Sequence, residues 1–397
     1  MSDLVQLKVG GRLFGGWKAV RIERGIEQAA GAFELSVTDR WSEQSEPWQI
    51  KPGDLCEVLL NGEAMITGYI DDARPSMDKQ SHGIYVSGRD KTMDLIDCSA
   101  VYKTGQWRGA ALDKIAADIA SPFGIDVIIS PGLNLGGVFD SFNIEEGERA
   151  FETIERAARM RGVLVMTDGA GRLLLATAST ETTGYALVQK MNVLSAELTL
   201  SWKERYNKIT VKGQGKGTVD AFGAAVAHGT AGINDDSINR YRPLIVIAEQ
   251  HGHGPTFAAR AEWERNVRRG RGTRAVIRVP GWRYQSNGLP GKLTVWQPNV
   301  LVAVDMPYFG LAQNLLIAKC LYTMDERGGS VTELHLADPS AFQVLNGIRG
   351  TPLGRRIAGA NGLESNRKRA KAAAKTKKGA GTIIDPATGK AMTETAP

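Results

Sequence analysis

Residues 51–71 read KPGDLCEVLLNGEAMITGYID, and their punctuation decides the fold. Asn61-Gly62 supplies the two left-handed positions of a two-residue hairpin turn, so the runs Leu55 to Leu60 and Met65 to Ile70 predict a β-hairpin. Working outward, Ile84 to Arg89 predicts a closing strand. Upstream, Phe33, Leu35 and Val37 alternate with Glu34, Ser36 and Thr38, while Val5, Leu7 and Val9 alternate near the start. Short strands separated by frequent turn residues predict a small antiparallel β-barrel or sandwich over residues 1–98.

The same order of signals returns later. Gln297-Pro298-Asn299 leads into Val300 to Val304, then Leu315 to Asp325, a Gly-Gly gap, and Val331 to Leu336. Each copy places a proline turn before a strand, a hairpin and a closing strand at similar spacing, so two related barrels are expected in one chain. The second spans residues 191–345, with Ile209 and Val211 among its strands and a loop-helix insertion at about 222–275. That insertion carries one helix from about Pro255 to Arg269, with proline suited to its first turn.

Residues 99–190 differ in period. Leu112, Ile115, Ala116 and Ile119 share one helical face, ended by Pro122 and Gly124; a second helix from about Glu148 to Arg161 stops at Gly162. Val163 to Thr167 and Leu173 to Ala176, joined by Asp168-Gly169-Ala170-Gly171, predict a hairpin, which makes this stretch an α+β module. The fold class expected is mixed and mainly β: two related antiparallel β-barrel domains, an α+β module, and a flexible basic tail at 346–397. That tail has no aromatic residue and few large aliphatics, so burial cannot offset the entropy of ordering it.

Charge is unevenly placed. From residue 349 to the end there are eleven Lys or Arg against three acids, a surplus of eight; the whole chain carries +6, which leaves the first 348 residues at −2. A nucleic-acid role would therefore rest on the tail alone, where Arg367-Lys368-Arg369 is continued by Lys371, Lys375, Lys377 and Lys378 without aromatics for base stacking. No apolar run approaches the length of a membrane span. Met1 to Gly11 shows neither a basic leader nor an apolar core, so synthesis in a cytoplasm is expected.

The search for chemistry assigns no catalytic, cofactor-binding or metal-ligating residue. Gly213-Gln214-Gly215-Lys216-Gly217-Thr218 lacks the third glycine of a dinucleotide loop, and Gly389-Lys390-Ala391 lacks the Ser or Thr of a P-loop. His251-Gly252-His253 has no further ligands at zinc spacing and is read as a polar loop. The acid pairs Asp71-Asp72, Glu145-Glu146 and Asp235-Asp236 are read as surface or turn acids, since neighbours on a strand face opposite ways. Cys56, Cys98 and Cys320 are widely spaced and read as small core hydrophobes. Trp17, Trp41, Trp48 and Trp107 are candidate contact anchors, with core packing the alternative.

An ordered set of stretches resembles one family. Lys51-Pro52-Gly53-Asp54, Thr67-Gly68-Tyr69-Ile70-Asp71, Ser87-Gly88-Arg89-Asp90-Lys91-Thr92 with Asp94-Leu95, Arg205-Tyr206-Asn207 with Val211-Lys212-Gly213-Gln214, Ala261-Glu262-Trp263-Glu264, Pro280-Gly281-Trp282, Trp296-Gln297-Pro298-Asn299 and Leu315-Leu316-Ile317 are similar to the baseplate hub proteins of phage Mu and its prophage relatives, to about residue 345. The resemblance implies a fold shared with the hub of T-even phages and, more remotely, with type VI secretion spikes. It implies a non-enzymatic virion protein of the contractile tail baseplate, assembled in the bacterial host cytoplasm. Three subunits would form a ring of six barrels that adapts a sixfold tail tube to a threefold spike around a central passage for DNA. The implied partners are copies of itself, the tube protein, the central spike and other baseplate proteins, with no cofactor. The alternatives are a type VI-like spike hub, which would continue into a long β-helix, and a hub-associated cell-wall hydrolase, which would need an added catalytic module.

Overall fold

The computed structural model describes residues 3–26, 28–39, 50–77, 82–213, 229–247, 254–285, 293–326 and 328–342, together with 383–384 and 391–392. Seven strands open the chain: β1 (Val5–Val9), β2 (Arg12–Phe14), β3 (Ala19–Gly25), β4 (Ala32–Asp39), β5 (Leu55–Leu60), β6 (Glu63–Met77) and β7 (His82–Asp90). They lie in the order β3-β4-β7-β6-β5-β1-β2, every neighbouring pair antiparallel. The alternation seen in sequence is the alternation of burial: Val5, Leu7 and Val9 point inward from β1, and Phe33 and Leu35 from β4. Asn61 and Gly62 both have positive φ, 50° and 84°, as the two-residue hairpin turn requires.

The α+β module follows, with α1 (Met93–Asp97), β8 (Gln106–Trp107), α2 (Leu112–Ala120), β9 (Val127–Ile129), β10 (Phe142–Asn143), α3 (Ala150–Arg161), β11 (Leu164–Thr167) and β12 (Leu173–Ala176). The expected helical face of α2 is the buried one, and α3 ends at Gly162 in the left-handed conformation that stops a helix at low cost. At its start the Glu152 carboxylate accepts the Arg149 N–H. Leu112, Ile115 and Ile119 pack with Ile154, Ala158, Leu173 and Leu175 into a core of the module's own.

The second half contains β13 (Thr182–Val188), β14 (Ser195–Leu200), β15 (Lys208–Gly213), β16 (Gly229–Asn234), β17 (Pro243–Ile247), α4 (Gly254–Arg271), β18 (Thr273–Pro280), β19 (Arg283–Gln285), β20 (Leu293–Val295), β21 (Leu301–Met306), β22 (Leu311–Asp325) and β23 (Gly329–Ala337). Its main order is β14-β18-β23-β22-β21-β13. The two halves are mainly antiparallel and related, as expected, and they are fused: residues 319–324 of β22 pair antiparallel with residues 20–25 of β3. One apolar core, running from Leu7, Ile22 and Leu35 to Ile277, Tyr322 and Leu336, lies under both.

Three placements differ from the sequence reading. The module does not extend to residue 190, because β13 pairs in parallel with β21 and so belongs to the second half. Ile209 and Val211 do not lie in the second barrel; their strand β15 forms a separate sheet, β16-β15-β17, on which α4 packs through Phe257 and Ala261 against Val211. The insertion is thus a small α/β unit between β14 and β18, beginning near residue 201 and ending before Thr273. Cys98 is exposed, whereas Cys56 and Cys320 are buried.

Residues 349–397 form a separate unit in which Ile383–Ile384 (β24) and Ala391–Met392 (β25) pair antiparallel. The expectation of a flexible tail otherwise lies outside the described residues, as do Trp41, Trp48 and His251-Gly252-His253.

Candidate assembly interface

The internal repeat has a hydrogen-bonded basis. Gly53 and Asn299, each directly after a proline, have φ of 87° and 64°. The Gly53 N–H donates to the Ile70 carbonyl at 2.8 Å, and the Asn299 N–H donates to the Ile317 carbonyl at 2.8 Å. Ile70 and Ile317 in turn donate to the Asp54 and Val300 carbonyls, each at 3.0 Å. Directly after these isoleucines each long strand shifts register by one residue against its neighbour, β6 against β7 and β22 against β23. Such a bulge bends the strand and sharpens its twist, so two bulges at one position in the repeat give the two halves one curvature. Aligning them matches β3, β4, β7, β6 and β5 with β14, β18, β23, β22 and β21.

The junction of the halves is a polar-edged, apolar-centred strand pair. Ile22 stands opposite Tyr322 and Val20 opposite Met324, extending the core across it. Lys319 pairs with Glu23, which also receives the Gln28 amide. Burial alone would raise the Glu23 pKa, but the hydrogen bonds from Lys319 and Gln28 outweigh it and hold the carboxyl below its ordinary value.

Besides β2 and β13, which pair only with β1 and β21, two strand edges of this sheet are open among the described residues. β14 pairs only with β18, and the far part of β6, residues 72–77, pairs only with β7. Leu200 is 68% exposed and Met77 80% exposed, while Ala73, Ala196 and Leu198 are partly buried against the common core. Open strand edges of this kind accept another strand.

The module is anchored to the first half through its hairpin turn. Arg24 donates to the Asp168 carbonyl at 2.9 Å, and Thr167 donates to the Asp90 carboxyl at 2.7 Å. Gly169 lies so close that a Cβ there would stand 2.7 Å from the Met65 carbonyl, which is why glycine occupies it. Burial raises the Asp90 pKa to about 6, against the hydrogen bonds from Thr167 and Thr92. Asp90 thus ties first half to module by a fully buried polar contact.

Sequence-flagged chemistry is dispersed. Each acid pair has a member held by arginine: Asp71 by Arg89 at 2.8 Å, Asp235 by Arg205 at 2.8 Å, and Glu145 by Arg156 at 3.8 Å. Burial pushes the Cys56 and Cys320 thiols up to about 12, so neither is a thiolate near neutrality. Trp17 and Trp107 are buried, in the common core and the module core respectively, and so serve packing. That barrel edges would be left open is expected of such a fold, but which strands carry them was not read from the sequence, although the apolar residues Met77 and Leu200 at strand ends were their signal. Among the described residues no group of His, Cys, Asp or Glu has the arrangement of a metal site, and no helix is long and apolar enough to cross a membrane.

Comparison with known proteins agrees in order along the chain. Residues 4–90 match the N-terminal domain model of Mu phage baseplate assembly protein GpP-like, residues 92–177 the second domain of baseplate hub protein gp44-like, and residues 256–345 the fourth domain of Mu phage baseplate assembly protein GpP. The baseplate hub protein gp44 of Escherichia phage Mu is 33% identical over 352 residues, covering 87% of this chain and 90% of the relative. Among solved structures, the 43 kDa tail protein of prophage MuSo2 from Shewanella oneidensis superposes with a TM-score of 0.75 at 35% identity, covering 86% of this chain and 99% of that one. A tail protein from Neisseria meningitidis shares the fold, with a TM-score of 0.72 at 20% identity over 86% of this chain and 98% of that one.

Proposed function

Since this chain belongs to the baseplate hub protein family of Mu-like phages, we propose that three copies close into a ring of six β modules that joins the sixfold tail tube to the threefold central spike. The observation that carries the reading is the repeat: two modules with one strand order, one turn chemistry and one bulge position present near-equivalent surfaces. Closed cyclic symmetry needs a whole number of chains, and three chains of two modules give six places. A sixfold tube then meets six similar surfaces, while the inequality of the two modules leaves threefold symmetry for the spike.

In this reading function is geometry, with no reaction catalysed and no cofactor required, and the ring's centre is the passage for DNA. The α+β module and the insertion stand off the ring and distinguish partners. The basic stretch 346–397 contributes to docking of the spike or another baseplate protein through its surplus of positive charge. Recovery of the cognate spike in pull-downs should fall when the chain is ended near residue 348; equal recovery would remove the tail from the mechanism.

Light scattering on the full chain should report three times the 42.9 kDa chain mass, and averaged particle images should show six lobes around a hole. A stable dimer, or a trimer without the hole, overturns the ring.

A further inference from the structure

The junction between β3 and β22 is a contact between a first-type and a second-type module inside one chain. Rotating that contact to the next place in the ring makes it a contact between chains, with β14 in the place of β3 and residues 72–77 of β6 in the place of β22. We propose, on the basis of the ring reading above, that β14 of one chain adds antiparallel to residues 72–77 of β6 in the next. The register follows from the bulge alignment. Lys319 opposite Gly25, Tyr322 opposite Ile22 and Met324 opposite Val20 become Asp72 opposite Ser201, Pro75 opposite Leu198 and Met77 opposite Ala196.

The chemistry of both edges suits this register, although the register was taken from the other seam. On one face it places Ala73, Pro75 and Met77 against Leu200, Leu198 and Ala196, all apolar; on the other it places Asp72, Arg74 and Ser76 against Ser201, Thr199 and Glu197, all polar. A slip of one residue would set apolar against polar along the whole pair. Ala73, Ala196 and Leu198 already flank the common core, so joining the edges continues that core from chain to chain. Within the chain, Lys319 reaches Glu23 diagonally, two residues before its direct partner. The same diagonal brings Arg74 to Glu197 of the next chain. Pro75 brings no N–H, which makes this edge a poor template for chance pairing and leaves the choice of partner to side chains.

Directly opposed antiparallel residues stand within reach of a disulfide. In a Cys98→Ser background, which removes the exposed thiol, the full chain bearing Arg74→Cys and Thr199→Cys should become a covalent trimer under mild oxidation. Arg74→Cys with Leu198→Cys, one residue out of register and on the opposite face, should stay largely uncrosslinked. Arg74→Glu should raise the concentration for half-dissociation by about tenfold or more, since each ring holds three copies of the contact, and adding Glu197→Arg should restore it. A particle of trimeric mass that fails to crosslink in register sinks the strand pairing and leaves the ring standing. A chain that remains monomeric at every concentration overturns both.

Discussion

The first and second halves of this protein follow one backbone plan with different interiors. In the first, the buried side chains are mostly aliphatic, Leu7, Ile22, Leu35, Leu60, Ile66 and Ile70, with Phe33 and Trp17 the buried aromatics among them. In the second, Trp296 packs 4.4 Å from Tyr284 and 5.9 Å from Tyr185, and Trp282 lies 5.7 Å from Tyr322, centroid to centroid. The edges differ too: β1 meets β5 antiparallel, whereas β13 meets β21 in parallel. The link from β3 to β4 is short, whereas that from β14 to β18 carries the insertion. What the halves share is turn, bulge and strand order, the features that set an outer surface; what they do not share is side-chain volume inside.

The comparison is broken most strongly where one position holds very different volumes. Aligned on the proline turns, Trp296 takes the place of Ile50, and both are buried. Trp296→Ala should cost about 3–5 kcal/mol and Ile50→Ala about 2 kcal/mol in urea unfolding, because the cost grows with the cavity left behind. Equal losses would show that the aromatic cluster adds nothing to the second half beyond what an isoleucine supplies.

A finer test exchanges volumes across a strand pair. Phe33 faces Gly88 in the first half, and the matching pair in the second is Ala275 facing Leu336, so large-small has become small-large. Ala275→Phe alone should cost about 1–3 kcal/mol by overpacking. Combined with Leu336→Gly it should recover at least about 1 kcal/mol relative to the sum of the single changes. Strict additivity would mean that the two halves do not share packing rows.

The repeat was legible in the sequence because its markers are local: a proline, a left-handed residue after it, and strands of similar length. The boundary at 190 was misplaced for the opposite reason. Thr182 to Val188 alternates in the same way whether it closes the module or pairs with a strand more than a hundred residues further on, and a parallel partner leaves no turn beside it. Ile209 and Val211 likewise show that they face a core without saying which core. The seam was invisible because β22 is buried through most of its length, and a buried strand does not announce how many neighbours it has. Asp90 appeared only as part of a family-like stretch; its burial comes from a hairpin turn folded back on it from 77 residues away.

Asp90 also separates the halves by pH. Its folded pKa of about 6, against 3.8 ordinarily, means that the folded chain holds this proton more tightly than the unfolded one. The associated stability is fully present below the ordinary value and is lost as pH rises through 6, a difference of up to about 3 kcal/mol. Asp90→Asn, which keeps the shape without the charge, should therefore stabilise the protein at pH 7 and flatten the decline in stability between pH 4 and 6. An unchanged pH profile would show that Asp90 is not the group responsible.

The smallest effect expected tests whether the halves treat surface charge alike. Each has an ion pair between directly opposed strand residues: Lys8 with Glu57 at 3.1 Å, and Arg278 with Glu333 at 2.7 Å. In the first pair both side chains are more than a third exposed, so screening and side-chain entropy leave about 0.2–0.5 kcal/mol. In the second, Glu333 is largely covered and also meets His335 at 2.9 Å. Burial would raise the Glu333 pKa, but the Arg278 hydrogen bond prevails and holds it below the ordinary value. A carboxyl lowered in this way contributes stability above its unfolded pKa and loses it as pH falls through the folded one, opposite in sign to Asp90. A double-mutant cycle with Arg278→Met and Glu333→Gln should give a coupling approaching about 1 kcal/mol at pH 7 that declines as acid protonates Glu333, and salt should diminish it less than the coupling of Lys8→Met with Glu57→Gln. Equal couplings with equal salt dependence would mean that the partial cover of Glu333 has no energetic consequence, and that the halves treat surface charge alike.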